Sequence, residues 1–346
     1  MKIGNFDFTK LKKTLIIAEL SANHGHRIDI AIETIHAAKR AGADAIKLQT
    51  YTPDTLTIDC NNKYFTIHEG LWKDRTLFEL YKEAYTPWEW HKELFLVAKQ
   101  EGLICFSTPF DRTAVDYLEQ FNPPAYKIAS FEIQDIPLIE YTASKGRPII
   151  ISTGIAKLED IELAVTTCRE AGNDQIVLLK CTSSYPAPIE EANLATISDL
   201  KKRFVVEVGL SDHTMGIVSP IAAVTLGARV IEKHFILDKS IGSPDASFSL
   251  DQKEFSEMVL AIRQVEKAIG DITYDLTDKV KINRKFARSL FAVKDIQKGE
   301  LFTENNIRSI RPGYGLHPKY YRDTIGKKAS LNIREGTPMK MEFITK

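Results

Sequence analysis

The sequence lacks an excess of charge of either sign. Its 346 residues carry 46 Lys+Arg against 46 Asp+Glu, so the basic surplus with which nucleic-acid binders meet phosphate is missing. It also lacks a long apolar run. No stretch approaches the ~18–20 residues of a membrane helix. The opening segment MKIGNFDFTKLKKTLIIAEL has no apolar stretch leading to a small-residue cleavage site. Cysteine is scarce: Cys60, Cys105, Cys168 and Cys181 are spaced too widely for a CxxC metal site or a disulfide framework. A reduced, cytoplasmic compartment is the resulting expectation. Nor does a GxGxxG fingerprint follow the first apolar run, where the chain reads AELSANHG, and this argues against an open doubly wound sheet. What remains is 44% hydrophobic and 27% charged, an ordinary globular mix with length for two or three domains.

Short apolar runs alternate with longer amphipathic stretches. The runs Leu15–Leu20, Ala45–Gln49, Ile104–Thr108, Ala125–Ser130, Pro148–Thr153, Ile176–Cys181, Val205–Leu210 and Arg229–Phe235 read as strands buried on both faces. Helical spacing appears between them, as in Ile28, Ile32, Ile35 and Ala38, and glycines such as Gly42, Gly102, Gly172 and Gly270 mark helix ends. Eight strand–helix units in residues 1–270 match a (β/α)8 TIM barrel. Residues 271–284 are polar without an apolar period and read as a linker. Residues 285–346 read as a small β-rich domain with an internal repeat, in which Val293–Ile307 aligns with Ser330–Ile344 and Ile296 and Gly299 fall on Ile333 and Gly336. At about 60 residues it has little core of its own and is expected to lean on the barrel or on a second subunit.

Barrel enzymes carry their chemistry at the C-terminal ends of the strands, and all eight predicted ends here are polar. The i, i+2 pairs Lys47/Gln49, Ser211/His213 and Glu232/His234 each share a strand face; Lys233 then points the other way without an evident role. His213 and His234 end adjacent strands, about 4.8 Å apart, within reach of one metal ion and with coordination positions left open for catalysis. His24 and His26 allow either capping or substrate contact. His36 and His91 are expected at helix surfaces. Lys47 and Lys127, at the ends of buried strands, need anions. Either they pair with Glu19 or Glu132, or they hold a phosphate or carboxylate alongside the hydroxyls of Thr108, Ser130, Ser152 and Ser183. Cys181 reads as a small packing residue, and Trp88 and Trp90 as packing at a helix start.

In order, IIAELSANHG, KLQTY, FSTPFD, YKIASFEI, ISTG, KCTSSYP, GLSDHT, IEKHF and GSPDASFSL resemble the nonulosonic acid synthase family, the sialic acid synthases. FARSLFAVKDIQKGE and IRPGYG resemble that family's antifreeze-like (SAF) domain. AELSANHG, LFELYKEAYTPWEWH, CTSSYP and PDASFSL are most similar to its pseudaminic acid branch. The resemblance implies condensation of phosphoenolpyruvate with a diacetamido-trideoxy hexose of altro configuration, releasing phosphate. It implies a divalent ion (Mn, Mg or Co) on His213 and His234. A phosphoenolpyruvate site is implied at Lys47, Thr108, Lys127, Ser130, Ser152, Ser183 and Ser211, where Ser183 stands in place of the Asn of the sialic branch. Glu19, Gln49, Tyr185, Asp245, Phe286 and Arg311 are implied at positions that contact the sugar or shape the site. The resemblance also implies a homodimer in which the tail of one subunit brings Arg311 to the other's site. Glu132 is the expected handler of the attacking water's proton and Glu19 the orienting carboxylate, two roles that could be exchanged. Asp245, Ala246, Phe248 and Tyr185 are expected to shape the choice of sugar. The alternatives are the N-acetylneuraminate or legionaminate branch, another phosphoenolpyruvate aldol synthase or metal aldolase on the same barrel, and a sugar-binding protein without catalysis.

Overall fold

Period two governs the core. Leu15–Glu19, Ala45–Thr50, Ile104–Pro109, Tyr126–Ile128, Ile149–Ser152, Ile176–Cys181, Glu207–Asp212 and Val230–His234 form eight parallel strands, closed into a barrel by pairing of the last with the first. This computed structural model describes residues 1–345. The outward set, including Ile16, Ala18, Ile46, Leu48, Ile149, Ile151, Leu178 and Ile231, packs with helix residues such as Ile35, Ala38, Phe255 and Ile262. The alternate set, Leu15, Ile17, Ala45, Ile104, Phe106, Ile150, Val177, Leu179 and Val230, forms a separate apolar cluster inside the cylinder. A hairpin that the sequence reading missed, Lys2–Ile3 with Phe6–Asp7, adds Ile3, Phe6 and Phe8 to that inner cluster. Its strands are two residues long, too short to show a period.

Strand ends hold to within one residue, except in two strands that shift by two. The fourth strand stops at Ile128 because Ser130–Glu132 turn into a 3-10 helix. The seventh begins at Glu207 rather than Val205, because Val205 takes a left-handed φ of 55° to end the helix Thr196–Phe204. Between the second strand and the helix His91–Gln100 the chain makes a long excursion. It contains the helix Leu77–Ala84, started by a Thr76/Glu79 capping box. The last barrel helix, Gln252–Ile269, starts on an Asp251/Glu254 capping box and ends at Gly270 with φ +54°.

Contacts divide the chain into two units, Met1–Gly270 and the part from Asp271 on. In the second, Thr277 caps a short helix, Asp278–Asn283, in the stretch expected to be a linker. Ser289–Ala292 pairs antiparallel with Ile307–Ile310. The internal repeat is visible in the hydrogen bonds. Ile296 and Ile333 exchange backbone N–H···O bonds of 2.8 Å each way, while Gly299 donates to Ala329 and Gly336 to Ala292. Both glycines have positive φ. The unit has a core of its own, with Leu290, Ile296, Phe302, Ile307, Ile333 and Met339 buried together. No helix among the described residues is long and apolar enough to cross a membrane.

Candidate active site

The inner faces of the strands change character toward their C-terminal ends. Two residues beyond Ile17, Ala45, Ala125 and Val230 lie Glu19, Lys47, Lys127 and Glu232, all buried. Lys47 Nζ lies 2.6 Å from Glu19 Oε2 and 3.4 Å from Glu232 Oε1, and Lys127 Nζ lies 3.5 Å from the same Glu232 oxygen. Glu232, rather than Glu132, is therefore the carboxylate shared by the two lysines. The sequence reading named it only as the face-mate of His234, and that shared face was the available signal. Burial raises the pKa of Glu232, but Lys127 and Lys47 outweigh it and hold the group below the ordinary range. Burial pushes Glu19 up to about 7 against the pull of Lys47. The Lys47 ammonium resists burial because Glu19 and Glu232 face it, whereas burial lowers the pKa of Lys127. A carboxyl that loses charge near neutrality beside two ammoniums leaves the cluster receptive to an anion.

Hydroxyls surround the lysines. Thr108 Oγ1 accepts from Lys47 at 3.2 Å, and Ser211 donates to Glu232 at 3.1 Å. Ser130 Oγ accepts from the Gly154 N–H at 3.0 Å. Buried Ser152 Oγ and Ser183 Oγ have no hydrogen-bond partner. A Cβ added at Gly154 would stand 2.1 Å from Ser183 Oγ and 2.7 Å from Ser130 Oγ, so only glycine keeps these hydroxyls together. Unsatisfied buried hydroxyls beside ammoniums suit an oxyanion ligand.

The two histidines meet as expected, with ring centroids 5.3 Å apart. His213 Nδ1 lies 3.0 Å from the Thr182 carbonyl and donates to it. Cys181 and this bond hold the ring's pKa up against burial, so Nε2 is the nitrogen that must give up its proton to bind a metal. Burial and the positive charge of His213 and Lys47 drive the pKa of His234 well below its usual value, so the ring is neutral. Its buried Nδ1 has no hydrogen-bond partner and lies 3.6 Å from Asp245 Oδ2. A neutral, unpartnered imidazole beside a second one fits a divalent ion held by two protein nitrogens. Among the described residues no His, Cys, Asp or Glu joins them in a preformed three-ligand cluster. Cys181 is more than packing: its sulfur lies 3.8 Å from His213 Nδ1, and although burial raises its pKa, His213 brings it down to about 7.

Above this floor lies a cavity of about 390 Å³ lined by Gln49, Glu132, Tyr185, His234 and Asp245 among others. Gln49 Nε2 donates to Ser21 Oγ at 2.9 Å and to Glu19 at 3.2 Å, and Ser21 donates to Asp245 at 2.5 Å. Glu132 has an unpartnered buried oxygen, and burial lifts its pKa to about 7. Tyr185 packs 4.5 Å from His213 between ring centroids. Phe248 sits 4.9 Å from the His234 ring; it and Ala246 are buried and do not line the cavity. Phe286 and Arg311 belong to the second unit, where both are exposed. A larger depression of about 660 Å³ lies near Gly4, Lys99 and Ile104, at the start of the third strand and away from this chemistry.

Some expected roles change. His91 is buried rather than at the surface, 2.7 Å from Thr50 Oγ1, because the end of the second strand and the rings of Tyr117 and Phe121 pack around it. His24 meets Thr86 Oγ1 at 3.2 Å and His26 meets the Lys82 carbonyl at 3.0 Å, which makes both anchors of the excursion. Lys233, on the outer face, pairs with Asp212 at 2.5 Å and bonds the Thr214 carbonyl.

Comparison with known proteins gives the family of the chain. The NeuB family model matches residues 34–274 and the SAF domain model residues 287–344. The chain belongs to the NeuB family. This family member is 54% identical to the pseudaminic acid synthase of Campylobacter jejuni over 98% of each chain. It is 49% identical to that of Helicobacter pylori over 96% of this chain and 98% of the relative. The solved Bacillus subtilis spore coat polysaccharide biosynthesis protein SpsE superposes with a TM-score of 0.65 at 35% identity, covering 96% of each chain.

Proposed function

We propose that this NeuB family member is a pseudaminic acid synthase. It condenses phosphoenolpyruvate with 2,4-diacetamido-2,4,6-trideoxy-L-altrose to give pseudaminic acid and phosphate. The observation that carries the reading is the Lys47–Glu232–Lys127 cluster, with unsatisfied serine hydroxyls, directly below a cavity large enough for a sugar. Relatives that match the chain over nearly its whole length and bear that name support it.

In this reading Lys47 and Lys127 bind the anionic ends of phosphoenolpyruvate, with Thr108, Ser130, Ser152 and Ser183 as further donors. Gln49, Tyr185 and Asp245 orient the open-chain sugar so that its aldehyde carbon faces C3 of the enol. His213 and His234 would hold a divalent Mn, Mg or Co ion, which supplies Lewis-acid polarisation of the aldehyde oxygen when bound. As the new C–C bond forms, positive charge develops at C2, and the carboxylate of Glu132 takes the proton of the water that adds there. Lys127 steadies the phosphate that leaves as the C2–O bond breaks. Glu19 keeps Lys47 and Gln49 in place. A homodimer in which the partner's tail supplies Phe286 and Arg311 is part of the proposal, as is a cytoplasmic setting, supported by four free cysteines.

The test is phosphate release from phosphoenolpyruvate with altro- and manno-configured acetamido sugars, the metal being varied. Fastest release is expected with the diacetamido-trideoxy altrose, and none after chelation. Oxygen-18 placed in the bridge should leave with the phosphate; its retention in the sugar acid would exclude C–O cleavage. Mixing Arg311→Ala and Lys127→Met proteins should restore part of the activity that each lacks, and no recovery would count against the shared site.

A further inference from the structure

The helix Leu77–Ala84 is amphipathic in the usual sense. Leu77, Leu80, Tyr81 and Ala84 recur at i, i+3, i+4 and i+7, while Glu79 and Glu83 lie off that stripe. Such an apolar stripe normally packs on a core. Here all four residues line the 390 Å³ cavity instead, and only Leu80 is buried. The helix is held in that attitude from outside. His26 Nε2 is 3.0 Å from the Lys82 carbonyl at its C-terminal end, and Thr76 and Glu79 cap its start. Further back in the excursion, Trp72 donates its indole N–H to the Pro244 carbonyl at 3.4 Å and packs 5.7 Å from Tyr185 between ring centroids.

The cavity is thus two-sided. Its floor carries Gln49, Glu132, His234 and Asp245, and the wall opposite is aliphatic and aromatic. A ligand that fills it must be two-sided as well, polar at its reacting end and bearing methyl groups elsewhere. We infer that the Leu77–Leu80–Tyr81–Ala84 face is the specificity wall of the enzyme, selecting a deoxygenated, N-acylated sugar by covering its methyl groups. The inference rests on the proposed synthase reading and adds to it the element that reads the sugar. A hydroxyl added to the deoxy methyl would lose its water against Leu77 and Leu80, which offer no hydrogen bond in return. Apolar walls reject an added hydroxyl by about 100-fold in kcat/KM.

The experiment compares kcat/KM for the 6-deoxy diacetamido sugar and its 6-hydroxy counterpart of the same configuration, read as phosphate release, in the wild-type protein and in Leu77→Ser and Ala84→Ser. Wild type should prefer the deoxy sugar by about 100-fold. Each variant should cut that ratio several-fold while KM for phosphoenolpyruvate and the thermal melting curve stay put. Equal use of both sugars by wild type, or an unchanged ratio in both folded variants, would overturn the wall. Absence of phosphate release with every sugar would instead overturn the synthase reading itself, and the wall with it.

Discussion

Along the inner faces of the same strands, Ile17 gives way to Glu19, Ala45 to Lys47, Phe106 to Thr108 and Val230 to Glu232. One end of the lumen is an apolar floor joined by Ile3, Phe6 and Phe8 of the N-terminal hairpin and its flank; the other is a mouth of buried ions beneath an open cavity. Both ends are buried from water, yet burial does different work in each. At the floor it is the stabilising term itself. At the mouth it is a cost, offset by pairing, that leaves groups with displaced proton affinities and unspent hydrogen bonds. Removing a side chain should therefore cost fold at one end and chemistry at the other.

The largest expected effect is at the mouth. Lys127→Met keeps most of the volume and leaves Glu232 still paired to Lys47 at 3.4 Å, so the fold should survive. Loss of one cation aimed at the phosphate should lower kcat/KM by about 1000-fold, with a melting temperature close to wild type. The converse is Phe106→Ala at the floor, where the ring is fully buried. It should cost about 3–5 kcal/mol in denaturant unfolding while the folded fraction keeps its kcat/KM. If both variants lost stability equally with activity intact, the division of the lumen would be wrong.

A pH series separates the ends in a second way. Burial raises Glu132 to about 7. Between the unfolded value near 4.5 and that folded value, the native state holds a proton the unfolded chain has released. The stability due to this group is thus present below pH 4.5 and is lost as pH rises to 7, by at most about 3 kcal/mol. Activity should move oppositely, kcat/KM rising through pH 7 as the carboxylate becomes able to take the water's proton. Glu132→Gln should abolish most activity and remove the acid limb of what remains. A limb that persists in Glu132→Gln would shift the base role to Glu19, whose pKa is also raised to about 7.

The barrel was legible because burial on both strand faces writes itself as short apolar runs, and the polar run-outs located the mouth. Glu19 was legible as a partner of Lys47, but the carboxylate shared by both lysines was not, since Glu132 and Glu232 are equally acidic and only register decides that Glu232 sits between Lys47 and Lys127. The internal repeat of the tail was readable because Gly299 and Gly336 mark equivalent turns. The N-terminal hairpin and the role of the Leu77–Ala84 face were hidden. The first is too short to carry a period, and an amphipathic helix looks the same in sequence whether its stripe meets a core or a cavity. His91 was misread because the residues that bury it, Thr50, Tyr117 and Phe121, are far from it in sequence.

The smallest expected effect is a control that belongs to neither end. Val205 is a β-branched residue held at φ 55° and is 84% exposed. Left-handed backbone costs such a residue about 1–2 kcal/mol, and the C-terminal helix stop it forms is the position where glycine is preferred. Val205→Gly relieves that strain, at the expense of a more flexible unfolded chain, for a net gain of about 0.5–1 kcal/mol in denaturant unfolding. The gain should add to Phe106→Ala, because Val205 lies on the surface and outside the Phe106 cluster. Added to Lys127→Met, it should restore none of the lost kcat/KM. Recovery of activity there would mean that the Lys127 defect was one of folding after all, and the mouth would then have to be read as core.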